Sequence, residues 1–174
     1  MTVTGQTPPT SLALAFDCRY PLSMSSTRIS LHIDAPRPDV YAALIDADAI
    51  AKWKVPDGMT LVVHEFEARE GGRFRISLTY EEPGLAGKTS AHTDTYHGYF
   101  KELAVNERVV EVMEFETSNA EMQGQMTSTI ELSDERGGTR LVALHEGLPP
   151  GVAPADNEDG WRMSLGKLAR LVEG

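Results

Sequence analysis

Cysteine is nearly missing: Cys18 is the single one in 174 residues. That excludes an internal disulfide and any metal site built on thiolates, and it fits a reducing compartment, so the expected location is the cytoplasm. Clusters of positive charge are missing too. The 16 basic residues against 26 acidic ones leave a formal net charge of −10 with no Lys or Arg run. Neither nucleic acid nor an anionic membrane surface is expected as a partner, because neutralising phosphates needs clustered cations. The longest apolar run near the start, residues 12–16, falls far short of the ~20 residues of a membrane-spanning helix. The first positive charge, Arg19, lies behind that run, the wrong order for a signal peptide. Glycine-rich nucleotide fingerprints, the Walker lysine loop, Gly-x-Ser-x-Gly and His-Glu-x-x-His are absent. Their absence argues against nucleotide binding, α/β-hydrolase chemistry and common metalloprotease chemistry.

What is present suffices for one acidic domain with a sizeable core, 41% of the chain being hydrophobic. Residues 1–26 are rich in Thr, Ser, Pro and Gly without apolar periodicity. They read as a disordered or loosely attached tail, with Met24 an alternative natural start. The domain is expected over residues 27–174. Ile29, Leu31 and Ile33 alternate with polar neighbours, the period of a half-buried strand that turns His32 to the solvated face. Pro38 suits a first helical turn, with Val40, Ala43 and Leu44 on one face. A second short helix is expected over 47–54, carrying Ile50 and Trp53 and ending before Pro56.

Six further strands are expected, at 61–68, 73–80, 95–103, 108–116, 126–132 and 139–146, followed by a helix over 156–172. Asp156 reads as its N-cap; Trp161, Leu165, Leu168 and Leu171 or Val172 form its apolar stripe. The fold class is α+β: a seven-stranded antiparallel sheet, two short helices after the first strand closing one edge, and a long C-terminal helix across one face. The links at 81–94, 117–125 and 147–155 are long and the intervening ones short. In a meander the long ones share one end of the sheet, where the mouth of any internal cavity is expected.

Several local signatures occur in order. They are Ala35-Pro36 with Val40 and Leu44, Trp53 before Pro56, Glu70-Gly71-Gly72-Arg73-Phe74-Arg75, His97-Gly98-Tyr99, Glu107-Arg108-Val109-Val110, Gly137-Gly138-Thr139-Arg140-Leu141, and Gly160-Trp161 before Leu165 and Leu168. On these the chain resembles the SRPBCC (START and birch-pollen-allergen-like) superfamily, and within it the heat-shock protein 90 ATPase activator homologue-like family. The resemblance implies a helix-grip fold, a curved sheet wrapped around the C-terminal helix. It implies no catalytic residue, because members range from binders of hydrophobic molecules to cyclases, resistance proteins and co-chaperones.

Alternation nominates residues for a cavity. Val62, His64 and Phe66 share one face of their strand, and Leu141, Ala143 and His145 share one of theirs. His64 and His145 are thus candidate anchors or acid/base groups, with a satisfied or edge-exposed histidine as the alternative. Phe74, Ile76, Leu78 and Tyr80 supply an apolar wall, Met113 and Phe115 another, with Met126, Trp161 and Leu165 nearby. Glu111 shares the face of Met113 and Phe115. If internal it needs a partner such as Arg75 or a histidine, or else a raised pKa; a one-residue bulge would instead turn it to solvent. His92, Asp94 and His97 have metal-ligand residue types, but strand spacing splits them between faces, so no metal is expected, and no cofactor.

The expected function is the binding of a small hydrophobic or amphipathic molecule between sheet and long helix. A cyclase- or hydrolase-like enzyme using His64, His145 or Glu111 in the same cavity is one alternative, and the residues leave open whether any reaction occurs. A co-chaperone acting on a heat-shock protein 90 ATPase is another. It is less favoured, because only the unpatterned tail stands where the eukaryotic activators carry a further domain. A homodimer is compatible with all three.

Overall fold

The computed structural model describes residues 26–174, so the expected tail, apart from Ser26, and the alternative start at Met24 lie outside the described residues. The element order is β1 (Thr27–Ile33), α1 (Arg37–Leu44), α2 (Ala47–Trp53), β2 (Met59–Phe66), β3 (Arg73–Tyr80), β4 (Thr93–Ala104), β5 (Arg108–Phe115), β6 (Met126–Glu135), β7 (Gly138–Glu146) and α3 (Pro154–Glu173), with a 3-10 turn at Ala120–Met122. All seven strands join one antiparallel sheet in the order β1-β7-β6-β5-β4-β3-β2. Strands β2 to β7 are a meander, and β1 completes the far edge against β7. The α1–α2 pair therefore carries the chain from one edge of the sheet to the other. The expected α+β architecture is the one observed.

Local chemistry accounts for the elements. Ile29 and Ile33 of β1 are buried, while His32 on the outer face bonds Asp34 and Glu135. Asp46 caps α2 by accepting from the Ala49 N–H at 2.8 Å, and Trp53 Nε1 donates to the Ala43 carbonyl at 2.9 Å, locking α2 onto α1. The start of α3 differs from expectation. Ala153 occupies the N-cap and Pro154 opens the helix, where its missing N–H has no partner to lose; Asp156 falls inside the first turn. Leu165 and Leu168 are fully buried, each contributing about 1.5–3 kcal/mol. At the end of the stripe Val172 packs against the core and Leu171 is exposed.

Three features curve the sheet. Val63 pairs with Ile76 but Glu65 pairs with Arg75, so His64 is the extra residue of a bulge in β2. A second bulge sits at Lys101 in β4. Between them, Gly98 allows a close approach: a Cβ there would stand 2.1 Å from the Val112 carbonyl oxygen and 2.7 Å from Phe74 Cζ. The curved sheet encloses α3. At one end the strands join through tight turns, whereas at the other the long links meet, Gly151 N–H donating to the Glu121 carbonyl at 2.7 Å.

Candidate ligand site

A cavity of about 560 Å³ opens between the sheet and α3 at the end where the long links meet. All three contribute to it: Lys88 from the β3–β4 link, Met122 from the β5–β6 link, and Val152 from the link into α3. Leu78, Met113, Phe115, Met126 and Trp161 supply its apolar wall. Methionine thioethers adapt to differently shaped apolar partners, which suits such a wall.

The innermost charge is Lys54, the residue that ends α2. Its Nζ lies 2.5 Å from Glu111 Oε2, and the two side chains are only 8% and 5% exposed. The ammonium also stands 5.7 Å from the Phe74 ring centre and 6.0 Å from that of Trp161. Glu111 thus faces inward and meets a lysine, where Arg75 or a histidine was expected. Arg75 is engaged elsewhere, gripping Glu116 through two bonds of 2.7 and 2.8 Å. Burial, with the Glu111 charge as a second cause, pushes the Tyr96 hydroxyl well above the ordinary tyrosine range.

At the mouth a second lysine occupies an aromatic and acidic cage. Asp94, 2% exposed, accepts from both the Lys88 ammonium and the Lys88 backbone N–H. That ammonium also donates to the Tyr80 hydroxyl at 3.4 Å and stands 5.8 Å from the Phe115 ring centre, within cation–π range. Burial by itself would lower the Lys88 pKa. The Asp94 carboxylate outweighs it, so the net shift is upward.

His145 lies on the β7 wall, 7% exposed. Trp161 Nε1 donates to its Nδ1 at 3.0 Å, and because indole is a donor only, the neutral ring must carry its proton on Nε2. That Nε2 has no hydrogen-bond partner of good geometry among the described residues. Burial first and the Lys54 charge second lower the ring to about 4, with Asn157 opposing them. At neutral pH His145 is an uncharged N–H donor.

Of the residues nominated from alternation, Leu78, Tyr80, Met113, Phe115, Met126, His145 and Trp161 line the cavity. Phe74, Ile76 and Leu165 point the same way but sit deeper, in packed core. Glu111 lies behind Lys54. The β2 nominations need correction: His64 shares the outer face with Val62 and bonds Ser77 Oγ at 2.8 Å, and the bulge turns Phe66 alone to the core, edge-on to Phe100 at 5.3 Å. Val62, placed on their shared face, is 52% exposed. No two of His64, Glu111 and His145 meet; each bonds a different residue. His92, Asp94 and His97 are likewise apart, bonding the Leu85 carbonyl, Lys88, and Glu114 with Glu116 respectively. Lys54, Lys88 and Tyr96 were missed. A lysine flanked by Trp53 and Val55 was the one signal that could have found the first.

A curved antiparallel sheet closed on a long C-terminal helix, with a cavity between them, is the SRPBCC-type fold. Within it, the chain belongs to the family described as activator of Hsp90 ATPase homolog 1-like protein, whose model matches residues 34–173. Among similar solved structures, protein CV1439 of Chromobacterium violaceum is 31% identical, with TM-score 0.77 over 86% of this chain and 98% of that one. An AHSA1-like protein of Aeromonas hydrophila is 21% identical, with TM-score 0.65 over 85% and 92%. A protein of Rhodobacter sphaeroides is 19% identical, with TM-score 0.71 over 87% and 94%. The last two show likeness of fold alone. No curated protein matches the chain. Among the described residues no helix is long and apolar enough to cross a membrane.

Proposed function

We propose that residues 27–174 act as one binding domain that holds a small hydrophobic or amphipathic molecule between the sheet and α3. The observation that supports this is the cavity itself. Its volume of about 560 Å³ falls inside the ~300–1,000 Å³ of small-molecule sites, and its wall joins an apolar surface to a charged mouth, as an amphipathic ligand requires. The enzyme reading has less support, because its candidate acid and base groups do not converge.

Nile red, a neutral dye that brightens in apolar surroundings, tests the proposal. Saturable one-to-one binding is expected, and Met126→Trp, which fills the cavity, should abolish it while the far-ultraviolet circular dichroism stays unchanged. Absence of saturable binding, or dye binding indifferent to the filled cavity, would refute the reading.

A further inference from the structure

The mouth of the cavity holds a cation site that the protein fills with its own side chain. A buried carboxylate, a phenol oxygen and an aromatic ring surround the Lys88 ammonium: it bonds Asp94 and, at 3.4 Å, the Tyr80 hydroxyl, and stands 5.8 Å from the Phe115 ring centre. This is the set of groups that recognises organic ammonium ions: an aromatic ring offers negative potential, a phenol oxygen accepts a hydrogen bond, and the carboxylate supplies the counter-charge. Resting on the reading of the cavity as a ligand site, we propose that its ligand is a hydrophobic amine whose ammonium replaces that of Lys88 on Asp94, with its apolar part in the cavity behind.

Charge conservation decides between ligand classes. An anion that shared the Lys88 ammonium would sit beside the like charge of Asp94, and one that drew the lysine away would leave that carboxylate buried and unpaired; both are costly. Lys54 offers an anion no better partner, being closed against Glu111. A neutral ligand leaves both pairs untouched and gains nothing from the cage. An amine exchanges one ammonium for another on the same carboxylate, and the number of ion pairs stays constant. The exchange is also mechanically simple. Lys88 holds Asp94 through its backbone N–H as well, so the side chain can swing to water while the link keeps its anchor.

The rim agrees in sign. Besides Asp94, the aspartates 57, 156 and 159 line the opening, against Lys54 and Lys88. Asp57 is answered by Lys167 at 2.9 Å. The positive end of the α3 dipole, which would favour an anion, is met by Asp156 in the first helical turn. In a chain of net charge −10 this field draws cations toward the mouth and repels anions.

A matched series, octylamine, octanol and octanoate, titrated by calorimetry at pH 7.5, isolates the charge. The amine is expected to bind at least about tenfold tighter than the alcohol. Lys88→Met should raise octylamine affinity about tenfold or more and leave octanol unchanged, because a site occupied by its own lysine is open only a fraction of the time. Asp94→Asn should erase the preference for the amine; where that variant does not fold, Lys88→Met decides alone. Octanol or octanoate binding as tightly as octylamine, or Lys88→Met leaving the amine affinity unchanged, would overturn the amine assignment and leave the cavity reading standing. Failure of all three compounds to bind would overturn both.

Discussion

Two lysines line the same cavity, each bonded to a buried carboxylate, yet one pair is sealed and the other is hinged on a loop. Lys54 follows a helix locked in place by Trp53, and it meets Glu111 on the central strand β5 with both side chains nearly inaccessible. Lys88 hangs from the β3–β4 link and is 28% exposed, while its partner Asp94 is 3% exposed. Enclosure, more than charge, separates the two roles. The inner pair can lose neither member without stranding a charge, whereas at the mouth the lysine can leave for water when another cation takes its place on Asp94.

Breaking the inner pair should have the largest effect. Glu111→Ala leaves the Lys54 ammonium buried beside Phe74 and Trp161 and should cost about 3–5 kcal/mol in urea unfolding. The double variant Lys54→Met/Glu111→Leu should recover most of that loss, since apolar residues of similar volume replace a buried pair at little cost. A double variant as unstable as the single one would show that the pair itself, and not the stranded charge, holds the fold.

Acid attacks the same region through His145. Its folded pKa of about 4 lies below the ordinary histidine value, so the unfolded chain takes up the proton first as pH falls. The stability contributed by keeping this ring neutral is complete above about pH 6.5 and declines as pH falls toward 4, a total of about 3 kcal/mol. His145→Gln, whose side-chain oxygen can still accept from Trp161, should flatten the unfolding free energy over that window. An unaltered pH slope would place the acid sensitivity elsewhere.

The mouth pair should respond more gently. Lys88→Met removes a partly exposed ammonium and Asp94 keeps the backbone N–H of residue 88, so a loss of about 2 kcal/mol is expected. Thermal unfolding should place this variant between wild type and Glu111→Ala. A loss equal to that of Glu111→Ala would mean that the two pairs are equally structural, and the contrast between them would fail.

The strand order and the convergence of the long links were legible because alternation and turn residues are local signals. The partners of the buried charges were not. Glu111 could be placed on the inward face of β5 from its neighbours Met113 and Phe115. Its partner, however, comes from the end of a helix 57 positions away, through a contact that no periodicity encodes. Val62, His64 and Phe66 were placed on one face for a different reason. A bulge inserts one residue without any marker in the surrounding Val62-Val63-His64-Glu65-Phe66, and it reverses the face of everything after it. Phe74 and Ile76 share a strand face with Leu78 and Tyr80, as expected, yet only the latter two reach the cavity. The cavity lies at the loop end, a property of the assembled sheet that a single strand does not carry.

A third ion pair completes the comparison by placing the same chemistry in water. On the outer face of the sheet Arg75 grips Glu116 through two short bonds, a better geometry than either lysine achieves, but the side chains are 41% and 31% exposed. Solvent screening and the entropy of holding two long side chains should reduce its worth to at most about 1 kcal/mol. Glu116→Gln is therefore expected to lower stability least of the variants considered, and 0.5 M salt should shrink the difference from wild type further, because exposed charges are screened and buried ones are not. The same salt should leave the Glu111→Ala deficit nearly unchanged. If instead Glu116→Gln cost as much as Lys88→Met, bond geometry and not enclosure would rank the three pairs, and the mouth lysine would lose its distinction as the partner free to leave.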